Sequence, residues 1–64
     1  MDEDSLLRYF TYAHLPGKLQ KVSRLFGDLA RELCETLPSG SEREMALRKL
    51  LEAKDCAVRA ALDA

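Results

Sequence analysis

Residues 39–64 read SGSEREMALRKLLEAKDCAVRAALDA and form the longest uninterrupted helical pattern in the chain. Four apolar residues recur at spacings typical of one side of an α-helix: Leu47, Leu51, Val58 and Leu62. A second side, called here the alanine face, steps by four and three as a helix-packing seam does: Ala46, Leu50, Ala53, Ala57, Ala60 and Ala64. Because one apolar side is enough to close a hairpin, the alanine face predicts a further partner, most simply another copy of the chain.

The segment before this helix predicts a second long helix. Its apolar residues form an i, i+3, i+4, i+7 stripe: Val22, Leu25, Phe26, Leu29, Ala30, Leu33 and Leu37. The stripe predicts a helix from about Lys18 to Leu37, which Pro38, Ser39 and Gly40 end. Gly27 inside it costs about 1 kcal/mol relative to alanine, which indicates either close packing there or no role at all.

The first part of the chain predicts a short helix and a loop. Residues 5–10 read SLLRYF and predict a helix of one or two turns, with the acidic residues 2–4 near its positive N-terminus. Residues 11–17, TYAHLPG, break the pattern because Pro16 disfavours helical dihedrals at Leu15. We therefore expect an all-α fold, residues 1–64 being one helical domain: a short N-terminal helix plus an antiparallel two-helix hairpin, assembled as a homo-oligomer.

The length of 64 residues limits the core and calls for another source of stability. Below roughly 70 to 80 residues a single core seldom supplies more than about 3 to 5 kcal/mol. In the predicted hairpin Cys34 and Cys56 are offset by about 18 Å along the helices, beyond the roughly 7 Å that a disulfide tolerates. The single His14 and two separated cysteines match no common metal-binding spacing. Self-association remains.

Charge and hydropathy exclude several kinds of partner. The net charge of −1 argues against a generic nucleic-acid binder, DNA-binding proteins included. No apolar run approaches the roughly 18 residues of a membrane span, and the start MDEDS is unlike a secretory leader. We expect a cytoplasmic chain that binds neither membrane nor DNA.

Catalysis has little support in the sequence. One loop histidine offers no nucleophile oriented by a base and a third group. The carboxylate pairs Glu32/Glu35 and Glu52/Asp55 lie at i, i+3 on predicted helices, where solvated faces or salt bridges are the common role. We expect no enzymatic activity and no cofactor.

The basic residues indicate a candidate binding site. Lys18, Lys21 and Arg24 recur every three residues after the loop, while Arg43 and Arg48 lie near a helix N-terminus that favours anions. From the pattern alone an ordinary charged surface is the more common explanation, and Tyr12 and His14 could equally be a packed loop aromatic and a polar cap. The alternative is a small-nucleotide site, in which an aromatic ring stacks on a base and cationic groups hold phosphate.

Two segments resemble the phage anti-CBASS protein 2 family, the cyclic-oligonucleotide sponges. Residues 11–16, TYAHLP, are similar to the family's loop, which is of the Y-x-H-x-P or Y-H-x-P kind. Residues 42–62, EREMALRKLLEAKDCAVRAAL, are similar to its ER-x-x-AL-x-KL-x-EA helix. The resemblance covers nearly the whole chain after Tyr9. Arg48 stands where many members carry threonine, and Cys56 where many carry tryptophan.

The resemblance implies a helical homohexamer that captures cyclic dinucleotides and cyclic trinucleotides without cleaving them. Sequestering these messengers in the host cell cytoplasm blocks activation of bacterial antiphage effectors, which is a form of immune evasion. The family's base-stacking tyrosine corresponds to Tyr12, and its basic residue on the following helix to Lys21 or Arg24. An arginine that serves the trinucleotide pocket corresponds to Arg43.

The residues that we predict to bind ligand are Tyr12, His14, Lys21, Arg24, Arg43 and Arg48. A rival interpretation makes the chain a small oligomerisation or regulatory module that binds another protein through its alanine face. The sequence does not choose between the two ligand sizes.

Overall fold

The computed structural model describes residues 3–63, in which every regular element is a helix. Helix α1 spans Glu3–Leu7 and continues into one 3₁₀ turn, Arg8–Phe10. Helix α2 spans Gly17–Thr36, and helix α3 spans Ser41–Asp63. The expected all-helical fold with three helices is confirmed.

The long helices begin and end close to the predicted positions. Helix α2 starts and stops one residue earlier than predicted. At its start the Pro16 carbonyl already accepts hydrogen bonds from the backbone N–H groups of Leu19 and Gln20, both at 2.9 Å. At its end the backbone of Leu37 is already extended. Helix α3 starts at Ser41, two residues after the helical sequence pattern begins, with the Gly40 carbonyl accepting from the Glu44 N–H at 3.0 Å. Asp2 and Ala64, which belong to the predicted acidic lead and alanine face, lie outside the described residues.

A small core joins the three helices. Its fully or nearly buried hydrophobic residues are Leu6, Phe10, Ala30 and Leu47. Half-buried neighbours complete it: Leu7, Phe26, Leu33, Cys34, Leu50 and Leu51. Helices α2 and α3 pack along each other across the turn at residues 37–40, which is consistent with the predicted helical hairpin.

The core-facing side of α3 differs from the predicted one. Leu50, which the sequence pattern places on the alanine face, packs against the core beside Leu47 and Leu51. Leu62, predicted on the core side, is 61% exposed. The reason is helical geometry. Residues at i, i+3 and i+4 share one side of a helix, so Leu50 lies on the same side as Leu47 and Leu51. Ala53 and Ala60 are exposed.

Lys54 of α3 contacts the 3₁₀ turn that follows α1. Its Nζ donates a hydrogen bond to the carbonyl of Tyr9 and lies 6.0 Å from the centre of the Phe10 ring. A cation at this distance from an aromatic face is attracted by the ring quadrupole. These two contacts join the 3₁₀ turn, and with it the start of the following loop, to α3.

Candidate functional site

The candidate site is a groove between the loop at residues 11–16 and helix α2. Its volume is about 540 Å³, within the range common for small-molecule sites. The residues that line it come from α1, the 3₁₀ turn, the loop and α2: Leu7, Phe10, Thr11, Tyr12, Ala13, Gly27, Arg31, Cys34 and Glu35. Most of this lining is apolar, and the two charged side chains belong to successive turns of α2.

Gly27 lets the loop approach α2. A Cβ atom placed on this residue would lie 2.9 Å from the Phe10 carbonyl oxygen and 3.2 Å from Cδ1 of Tyr12, closer than real Cβ atoms tolerate or commonly come. Gly27 is buried, and Tyr12 is half-buried against it. Of the two alternatives for this glycine, close packing is correct, and its partner is the tyrosine of the predicted site.

Gln20 holds the loop in place. Its Nε2 donates hydrogen bonds to the carbonyls of Ala13 at 3.0 Å and Leu15 at 2.7 Å. A primary amide has two N–H donors, so one side chain satisfies both carbonyls. The backbone N–H of Leu15 also donates to the Tyr12 carbonyl at 3.0 Å, which closes a turn around exposed His14. No pattern in the sequence indicates this role of Gln20.

Arg31 and Glu35 supply the charge of the groove. They stand at i, i+4, one turn apart, on the side of α2 that carries Gly27. Within the part of the chain that the structure describes, neither side chain forms an ion pair or a hydrogen bond. A guanidinium and a carboxylate are thus available at the rim of a largely apolar groove.

The predicted basic residues of α2 lie outside this lining. Lys21 and Arg24 are both exposed, and the groove residues do not include them. Arg24 precedes Gly27 by three residues and Arg31 follows it by four, so they flank the glycine on successive turns. The loop covers α2 around Gly27 and the groove continues toward Cys34, which makes Arg31 the lining cation.

No known protein family, curated protein or solved structure matches this chain.

Arg43 connects the two long helices. Its guanidinium donates hydrogen bonds to the carbonyls of Cys34 at 2.9 Å and Leu37 at 2.8 Å. These carbonyls belong to the C-terminal end of α2, where backbone acceptors lack helical partners. Arg43 thus caps α2 from the first turn of α3, and it does so beside the groove, because Cys34 also lines it.

Arg48 and the cysteines complete the set of residues singled out by the sequence. Arg48 is half-buried and lies 3.6 Å from the Glu44 carboxylate, one turn earlier on α3. Cys34 is half-buried and Cys56 exposed, and neither is in a disulfide. Within residues 3–63 no group of three or more histidine, cysteine or acidic side chains could hold a metal ion, and no helix is long and apolar enough to cross a membrane.

Proposed function

We propose that the chain is a non-enzymatic sponge that binds cyclic dinucleotides in the groove between the loop and α2. The observation that carries this proposal is the juxtaposition of Tyr12 and Arg31 in one groove. An aromatic ring offers a stacking surface for a base, and a guanidinium offers paired N–H donors for a phosphate. A cyclic dinucleotide presents both groups on one rigid ring.

The similarity to the phage anti-CBASS protein 2 family supports the same ligand class. The tyrosine that corresponds to the family's stacking residue is the one that lines the groove. Arg31 takes the phosphate in this proposal, while Lys21 and Arg24 add a positive surface nearby. Cyclic trinucleotides would bind at a second site around Arg43. The biological outcome is capture of second messengers in the host cytoplasm, so that antiphage effectors stay inactive.

Self-association is part of the proposal. Among the residues whose burial the structure describes, six large hydrophobic side chains are 39–69% exposed, namely Tyr9, Leu25, Leu29, Leu37, Met45 and Leu62. Burial of some of these side chains between copies would add to a core that is small for one chain. Ala53 and Ala60 are exposed on α3, where small side chains allow another helix to come close. The same face supports the second candidate function, a module that binds a different protein through α3.

A thermal-shift panel tests the proposed ligand class. A ligand present at a hundred times its Kd stabilises the native state by about 2.7 kcal/mol, which for a chain of this size raises Tm by roughly 10 °C or more. We expect this rise with cyclic dinucleotides, a rise of its own with cyclic trinucleotides, and none with linear DNA. Unchanged Tm with every cyclic nucleotide would leave the protein-binding module as the better account.

Recovery of the ligand separates a sponge from an enzyme. The protein is incubated with cyclic di-GMP, denatured by heat and removed, and the supernatant is analysed by chromatography. We expect the cyclic dinucleotide to return intact in full yield. Linear or cleaved nucleotide, formed in proportion to protein concentration, would identify a phosphodiesterase instead.

A further inference from the structure

We infer that the groove selects guanine, and that Glu35 is the residue that determines this selection. The inference rests on the proposed function and names the base that the same site reads. It starts from a feature that a general nucleotide site does not require, namely a carboxylate in a groove meant for an anion. Glu35 lines the groove one turn after Arg31.

A carboxylate repels a phosphate, so its presence in the site favours a ligand group that donates hydrogen bonds. An ionised carboxylate only accepts, through two oxygens that can receive two parallel donors. Within the described chain Glu35 forms no hydrogen bond or ion pair, and its side chain is exposed at the groove. Its acceptor capacity is therefore available to a ligand.

Guanine is the base whose edge fits these acceptors. Its Watson–Crick edge carries N1–H and an N2 amino group side by side, two donors that point in the same direction as a carboxylate needs. Adenine presents one donor and one acceptor there, and uracil one donor between two acceptors. Bases stacked on an aromatic ring are commonly read on this edge. An adenine in the same position would bring its N1 lone pair against a carboxylate oxygen.

The spacing of Arg31 and Glu35 along α2 lets each side chain contact a different part of one nucleotide. Residues at i and i+4 lie about 6 Å apart on a helix surface. Tyr12 stacks on the base, Glu35 reads its edge, and Arg31 holds the phosphate of the same nucleotide. The three side chains stand in one groove, so one guanosine unit of a cyclic dinucleotide meets all three.

The test compares cyclic di-GMP with cyclic di-AMP by calorimetric titration. The wild-type protein should bind cyclic di-GMP at least about tenfold more tightly, because hydrogen bonds to a charged acceptor discriminate by about that factor. In Glu35→Gln an amide replaces the carboxylate with nearly the same shape and offers one donor and one acceptor. That pair matches adenine, so the preference should fall below about threefold or invert.

Glu32→Gln is the matched control, since Glu32 is exposed on α2 and does not line the groove. It should keep the wild-type preference. Equal affinities of the wild-type protein for both ligands, or an unchanged preference in Glu35→Gln, would overturn the inference while leaving the sponge in place. Failure of both ligands to bind would overturn the proposed function as well. Sedimentation of Glu35→Gln should match wild type, and dissociation would show that a second copy occupies the groove.

Discussion

The ring of Tyr12 packs against Gly27 of helix α2, so close that a Cβ atom at position 27 would be crowded by the ring. A Cβ there would be 3.2 Å from Cδ1 and 3.3 Å from Cε1 of the ring. The glycine therefore sets how near the loop comes to α2, and the groove beside it depends on that distance.

Gly27→Ala brings two effects of opposite sign into competition. Alanine improves helix propensity by about 1 kcal/mol, but its Cβ would lie 2.9 Å from the Phe10 carbonyl oxygen, a backbone atom that cannot rotate away. Overpacking of this kind costs about 1 to 3 kcal/mol. We expect net destabilisation in urea unfolding and a displaced loop. Gly17→Ala, where nothing lies within 4 Å, is the control and should be neutral or stabilising. Stabilisation by Gly27→Ala would contradict the close contact.

Gln20→Glu tests the anchoring of the loop. The substitution keeps the shape of the side chain but replaces the NH2 group, which donates to both the Ala13 and Leu15 carbonyls, with a carboxylate oxygen. Each carbonyl loses its partner and faces a negative charge, which should cost about 1 to 3 kcal/mol. Hydrogen exchange of the loop amides should accelerate. Lys21→Ala, an exposed substitution at the neighbouring residue, should leave hydrogen exchange of the loop as in wild type. If Gln20→Glu also exchanges at the wild-type rate, Gln20 does not anchor the loop.

Arg43→Ala tests the connection between the two long helices. It removes a charged donor from the carbonyls of Cys34 and Leu37, so we expect a loss of about 1 to 3 kcal/mol in the free energy of unfolding. Lys49→Ala, which breaks an exposed pair with Glu52, should cost less than about 1 kcal/mol. If Arg43→Ala unfolds at the wild-type urea concentration, the cap contributes nothing. Weaker binding of cyclic trinucleotides alone would keep Arg43 in the second proposed site.

Ala53→Glu tests self-association without disturbing the subunit. Ala53 is exposed, so a glutamate there has water in the monomer but would be buried and unpaired in a close-packed seam. We expect the wild-type protein to sediment as an oligomer and Ala53→Glu as a folded smaller species. Arg59→Ala lowers the net charge by the same amount on another side of α3 and should stay assembled. A monomeric wild-type protein would refute the seam.

The sequence predicted the helices well because their signals are local. The apolar stripe of α2 and the helix-breaking residues Pro38 and Gly40 predict the described ends of the two long helices to within two residues. The position of Leu50 was wrong because two apolar stripes on one helix overlap, and only packing decides which residues the core takes. Gln20 and Arg31 were missed because their roles depend on where the loop folds back onto α2, a tertiary contact that spacing along one helix does not encode.

Binding of a cyclic dinucleotide in the groove beside Tyr12 can be measured directly. Calorimetric titration gives the affinity for cyclic di-GMP of three proteins: wild type, Tyr12→Ala and Tyr9→Ala. Stacking on an aromatic ring is worth about 1 to 3 kcal/mol per base, so Tyr12→Ala should weaken binding by about ten- to a hundredfold. Tyr9 is 53% exposed and does not line the groove, so Tyr9→Ala should bind as wild type does. Equal affinity of Tyr12→Ala and wild type would contradict the account.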